Sequence, residues 1–257
     1  MKLRIKCIVF IILMTLLAIF SVSCMIANPD HTEEYQYITR REMRDMGPTQ
    51  RFVTHIERKY GLRNRRDFNV IATHYGRGLL SPSNHMYAYL VDGTRETHTF
   101  RVSGGTDSYG NARFMDNLAG LFMREELEEW IAEVAEEFFD DVKVFVRMFP
   151  PSLPADFNRD SSARDLAGRE TGLIQVSVSV SEQFESIEEF ETVAEAFLDR
   201  WSDEDVNSRL VVASLEQLFF NNRTRENIND PIPDGVVIAA HSRTIWANRP
   251  GEENDNE

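Results

Sequence analysis

No cysteine occurs beyond position 24 of this 257-residue chain; the two it has are Cys7 and Cys24. The body must therefore fold without disulfides or thiolate-bound zinc, and its stability has to come from apolar burial, which a domain of ~200 residues can supply. The pattern of apolar side chains then decides the fold class.

That pattern changes period repeatedly. Pro48-Thr49-Gln50 opens a helix whose Phe52, Val53, Ile56 and Tyr60 follow the 3.6-residue spacing, and Gly61 closes it. Strands are expected over 67–75, 86–91 and 97–103, the last two joined through the hairpin pair Asp92-Gly93. After a break at Gly104-Gly105, Met115, Leu118, Phe122, Leu127, Ile131, Val134 and Phe138 mark a long helix interrupted near Gly120. Val142, Val144 and Val146 return as a strand. The stretch 150–168, with Pro150, Pro151 and Pro154 and no period, reads as a linker. Beyond it, Ile174, Val176, Val178 and Val180 alternate with Gln175, Ser177 and Ser179 as a one-sided strand. Ser186 and Glu189 form a capping box for a helix carrying Phe190, Val193, Phe197, Leu198 and Trp201. Two final strands are expected over 209–220 and 236–246, the first of them open to a helical reading.

The expectation is an α+β protein, antiparallel sheet or sheets with packed helices, in two halves that admit a relation to each other. Its parts are a signal peptide at 1–23, a polar stalk at 24–47, an α-β-β-β-α-β domain at 48–149, the linker at 150–168, a β-α-β-β domain at 169–249 and a disordered acidic tail at 250–257.

The N-terminus carries Lys2, Arg4 and Lys6, then an apolar run from Cys7 to Phe20, then Ser21-Val22-Ser23 before Cys24. Charge, apolar core and small residues make an export signal, and the run is shorter than the ~20 residues that cross a bilayer. Ser21-Val22-Ser23-Cys24 resembles the lipobox of bacterial lipoproteins. That resemblance implies a diacylglyceryl Cys24 as the mature N-terminus, with the lipid bilayer as a partner and the outer face of the cytoplasmic membrane as the location. Cleavage after Ser23 or Ala27, giving a secreted protein, and an uncleaved anchor are the alternatives. Residues 49–149, with Lys59-Tyr60-Gly61 leading into strands and the acidic helix 125–137, resemble a module of small Gram-positive lipoproteins of unassigned function, which implies no catalytic residues.

Removing residues 1–23 takes away three cations and no acids, moving the formal charge from −14 to −17. Such a chain repels polyanions, so no nucleic-acid partner is expected. The local exception is Arg58, Lys59, Arg63, Arg65 and Arg66, a candidate contact for an anionic envelope polymer or lipid surface, of which the helix dipole explains two. His74, His85 and His98 could approach one another in a meander as a three-histidine zinc site, although surface or hydrogen-bonded histidines are the ordinary reading, and no metal or cofactor is assigned. Gly104-Gly105-Thr106-Asp107-Ser108 lacks the spacing of a phosphate loop, no Gly-x-Ser-x-Gly elbow occurs, and the serines of 177–181 fall on the solvent side of their strand. The acid pairs Glu125-Glu126, Glu128-Glu129 and Glu136-Glu137 lie opposite an apolar stripe, where carboxylates stay solvated rather than catalytic. The function expected is a non-enzymatic extracytoplasmic binding or interaction module whose partner is an unknown envelope protein or polymer. An anchored or secreted enzyme acting on envelope material is the alternative.

Overall fold

The computed structural model of the chain describes residues 38, 40–76, 84–106, 112–181, 184–233 and 236–247. The signal segment, Cys24, most of the stalk, the tail and Asp107-Ser108 lie outside the described residues.

The first strands follow from period-2 alternation. β1 (Phe68–His74), β2 (Asn84–Leu90), β3 (Thr99–Thr106) and β4 (Ala112–Asp116) form an antiparallel meander in that order. In β2, Met86, Ala88 and Leu90 point into the core while His85, Tyr87 and Tyr89 are half-exposed on the other face. The Asp92-Gly93 pair does not make a two-residue turn. A longer loop closes instead, with Leu90 N–H donating to the His98 carbonyl and His98 N–H to that of Thr94. Gly104-Gly105 lies inside β3 and does not break it. A Cβ on Gly104 would stand 2.6 Å from Phe52 Cε1, so glycine is what lets the preceding helix lie close against the strand.

That helix, α2 (Pro48–Tyr60), buries Phe52, Val53, Ile56 and Tyr60 and ends at Gly61 with φ 67°. Before it, the end of the expected stalk forms a short helix, α1 (Arg40–Asp45), held to α2 by a two-bond contact from Arg58 to Glu42, and Ile38 is buried. α3 (Leu118–Ala135) runs through Gly120 without interruption, because the missing side chain there accommodates the Phe149 ring, 2.4 Å from where a Cβ would be. Met115, expected to open this helix, is instead in β4.

The second sheet has the order β5 (Val142–Met148), β6 (Ile174–Val180), β7 (Ser208–Leu215) and β8 (Val237–Ile245). It is mixed: β6 and β7 are parallel because α4 (Ile187–Ser202) returns the chain to the same end, and the other pairs are antiparallel. The Ser186 hydroxyl caps α4 on the Glu189 N–H, as its sequence indicates. The expected strand over 209–220 ends at Leu215 and gives way to a six-residue helix, α5 (Gln217–Asn222). α5 is tied across the outer face of the sheet by Lys143, whose ammonium donates to the Phe220, Asn221 and Arg223 carbonyls. Ser179, beside Lys143 in register, is therefore buried, as is Ser181, which bonds Asp141.

The fold is α+β. One apolar core, from Phe52 through Trp201 to Ile245, runs through both sheets, with α3 in contact with β3, β5 and α4. β5 precedes the 150–168 segment yet pairs with β6 beyond it, so the sheets do not divide at that segment. Segment 150–168 itself is packed: it contains a 3-10 helix (Ala163–Leu166), buries Leu153, Phe157, Ala163 and Leu166, and is held by Glu126, which accepts from the Ser162 hydroxyl and the Ala163 N–H.

Candidate functional site

Two groups of ionisable side chains drawn out of water stand out among the described residues. The first lies under α2. Asp116, at the end of β4, has no exposed side-chain surface; its Oδ2 accepts from His55 Nε2 at 2.9 Å and Lys59 Nζ at 3.0 Å, and its Oδ1 accepts from the Tyr60 hydroxyl and, at 3.1 Å, from Leu118 N–H. Burial alone would raise this carboxyl, but the His55 hydrogen bond, the Lys59 charge and the Tyr60 hydrogen bond outweigh it and hold Asp116 well below the usual carboxylate range. His55 also lies 5.3 Å from the Phe114 ring. Every oxygen of the carboxylate is used and the donors point inward, so this group pins α2 to the start of α3.

The basic cluster of residues 58–66 is dispersed by this arrangement. Lys59 is buried, with 3% of its side chain exposed, because Asp116 draws it inward, and it cannot reach an external surface. Arg58 is paired with Glu42 and Arg66 with Asp67. Arg63 and Arg65 are exposed, Arg65 with φ 68°. The histidines do not assemble either. His74 and His85 stack with ring centroids 4.8 Å apart, while His98 bonds Thr97 in the loop beyond β2, and no group of three metal-ligating side chains occurs among the described residues.

The second group was not visible as a motif. β4 covers only the Val102–Thr106 part of β3, so the Thr99–Arg101 part is paired with β2 on one side and has no strand on the other. Asn117 takes up the edge at Arg101, its Oδ1 accepting the Arg101 N–H and its own N–H donating to the Arg101 carbonyl. Beyond it, the first turns of α3, the end of β5 and the loop after α5 enclose a cleft of about 380 Å³. Four arginines line it, Arg101, Arg124, Arg147 and Arg225, against one lining carboxylate, Glu96.

Three of the four arginines are placed by side-chain contacts at the rim. Arg124 is 7% exposed and donates to the Thr97 carbonyl. Arg147 donates twice to the Asn229 carboxamide oxygen at 3.1 Å. Arg225 reaches Glu128, which also accepts the Val146 N–H at 2.7 Å. The Nε atoms of Arg101 and Arg124 are buried without a hydrogen-bond partner among the described residues. Desolvation, followed by the charge of Arg225, lowers Arg124 to about 10. His98 is lowered by burial first and then by Arg124, and Glu128 is raised by burial despite its partners. Glu128 is thus not one of the solvated helix acids its sequence setting implies. Its carboxylate sits behind the cleft and offsets one guanidinium of the four.

A second cleft, of about 330 Å³, brings Arg66 and Arg159 together with Asp67 and Asp92, which leaves no excess of either sign. The first cleft has an excess, and buried unpaired donors cost free energy unless something satisfies them. Its walls also include Leu121, Val146 and Phe149. The arrangement suits an anion carried on a partly apolar body.

No family model matches the chain, and no curated protein matches it. Among solved structures, the crystal structure of a DUF5037 family protein from Ruminococcus gnavus ATCC 29149 is similar over 79% of this chain and 93% of that one, at 13% identity and a TM-score of 0.38. Among the described residues, no helix is long and apolar enough to cross a membrane.

The arginines of the cleft come from β3, α3, β5 and the loop after α5, so no spacing links them. The one local sign was Arg124, a lone cation on α3 among Met123, Leu127 and Ile131, all buried.

Proposed function

We propose that this protein is an extracytoplasmic binding module, lipid-anchored through Cys24 and non-enzymatic, and that its ligand carries an anionic group held in the arginine cleft. The observation that carries the reading is the convergence of four guanidinium groups on one cleft, two of them with buried Nε atoms that have no partner among the described residues, in a chain of net charge −14. Bidentate arginine contacts favour planar carboxylates and phosphates. A local excess of positive charge in an acidic protein is also selective, since densely charged polymers are turned away before they reach it. The anchor rests on the lipobox-like Ser21-Val22-Ser23-Cys24.

Two experiments test the two parts. Titration calorimetry of the full chain in detergent with D-galacturonate should show binding that weakens with added salt and falls at least tenfold in Arg124→Gln, while D-galactose should not bind. Equal heats for the acid and the neutral sugar would remove the cleft from consideration. For the anchor, the intact mass and N-terminal peptide of the protein isolated from its own membranes should show a diacylglycerol on Cys24, and an unmodified N-terminus after Ser23 or Ala27 would make it a secreted protein.

A further inference from the structure

The outer face of the first sheet says more about the ligand than the cleft alone. Along β2, His85, Tyr87 and Tyr89 stand on one half-exposed face while Met86, Ala88 and Leu90 fill the core. At a rise of about 3.4 Å per residue, this aromatic stripe is about 14 Å long. His74, the register partner of His85, widens it at one end with a stacked ring. At the other end, the Asn69 amide donates to the Tyr89 hydroxyl at 3.2 Å, and the Arg95 guanidinium lies 5.6 Å from the Tyr89 ring.

The stripe and the cleft are joined. Tyr87 is itself a cleft wall, and the cross-strand partners of Tyr87 and Tyr89 are Arg101 and Thr99, which line the cleft as well. The joined surface therefore offers guanidinium groups at one place and a row of ring faces with hydroxyl and amide groups beside it.

Each competing ligand class leaves part of this surface unused or opposed. Free phosphate would need the cleft alone. A nucleic acid, with one charge per ~1.7 Å of duplex, meets the repulsion of a chain with net charge −14. A peptide docking as an added strand needs free backbone groups at the β3 edge, and those of Arg101 are already bonded to Asn117. A chain of hydroxylated rings with apolar C–H faces, whose carboxylates stand further apart than the phosphates of a duplex, engages the arginines, the aromatic faces and the polar groups together. We infer that the ligand is an acidic oligosaccharide, with one uronate carboxylate in the arginine cleft and the neighbouring sugar rings lying on His85, Tyr87 and Tyr89. This inference rests on the anion-binding reading of the cleft.

The test is calorimetry of the full chain in detergent with D-galacturonate, tetragalacturonate, cellotetraose and tetra-aspartate. Tetragalacturonate is expected to bind at least tenfold more tightly than the monomer, and at least tenfold more tightly than either cellotetraose or tetra-aspartate. Tyr89→Ala should bring the tetramer to within about threefold of the monomer, and Tyr89→Phe, which keeps the ring, should retain most of the gain. If monomer and tetramer bind equally, the oligosaccharide inference falls and the anion site stands. If tetra-aspartate matches tetragalacturonate, the ligand is an acidic peptide and the inference is wrong. If none of the acids binds, both the inference and the reading beneath it fall.

Discussion

The Asp116 group and the arginine cleft both gather ionisable side chains out of water, and they do so in opposite ways. At Asp116 one carboxylate is surrounded by His55, Lys59, Tyr60 and a backbone N–H, and its charge is answered within about 3 Å. In the cleft four guanidiniums face one lining carboxylate, and two Nε atoms have no partner among the described residues. Closed charge balance ties elements of the fold together, whereas the open balance of the cleft is what the proposed anionic ligand would complete. Burial alone does not distinguish the two; the count of answered partners does.

The largest expected effect comes from opening the closed group. Asp116→Asn leaves the Lys59 ammonium buried without its counter-charge and should destabilise the fold by about 3–5 kcal/mol in denaturant unfolding. A loss below about 1 kcal/mol would mean that Lys59 escapes to solvent and that the group is no closed knot. The pH dependence sharpens the same point. The Asp116 carboxyl is held below its ordinary value of 3.8, so its contribution is present above that pH and is lost on acidification toward its folded value. The acid limb of unfolding should flatten in Asp116→Asn.

Next in size is the cleft. Arg124→Gln removes a guanidinium whose burial is already unfavourable, so stability should change by no more than about 1 kcal/mol while D-galacturonate affinity falls at least tenfold, by about 1.4 kcal/mol. A stability loss as large as that of Asp116→Asn would make the cleft a second structural knot and erase the contrast. Glu128 gives a smaller and opposite signature to Asp116. Its carboxyl is raised by burial above 4.5, so its favourable contribution is complete below that pH and declines as pH rises through the folded value. Glu128→Gln should remove that decline, which stability measured from pH 4 to 7 would show. The smallest effect is expected on the surface: Arg63→Ala with Arg65→Ala should alter stability by less than about 0.5 kcal/mol.

Much of the architecture could be read before the structure because one-dimensional periods record it. The strand at 174–180 alternates in the sequence, the helix after Ser186 is announced by its cap, and Val142, Val144 and Val146 mark β5. What escaped depends on contacts between distant segments. Gly104-Gly105 looked like a break because a glycine's reason for being there, the approach of Phe52, lies about fifty residues away. Lys59 looked like a cation at a helix end, though His55 one turn earlier, flanked by Phe52 and Ile56, was a sign that this side of α2 faces inward. The segment 150–168 has no period because Leu153, Phe157 and Leu166 are buried from irregular backbone. The cleft had no motif at all, since its four cations reach it from four different elements.

The pairing of β5 with β6 across the 150–168 segment has a consequence for when the cleft can form. A chain emerging N-terminus first completes the first meander early, and α3 can lie against β3, but β5 has no strand neighbour until β6 follows. The last wall of the cleft, at Ile228 and Asn229, arrives later still. The cleft thus closes only once the chain has passed that loop: one stalled or clipped before it would hold Arg101, Arg124 and Arg147 but lack Arg225 and the wall at Ile228 and Asn229.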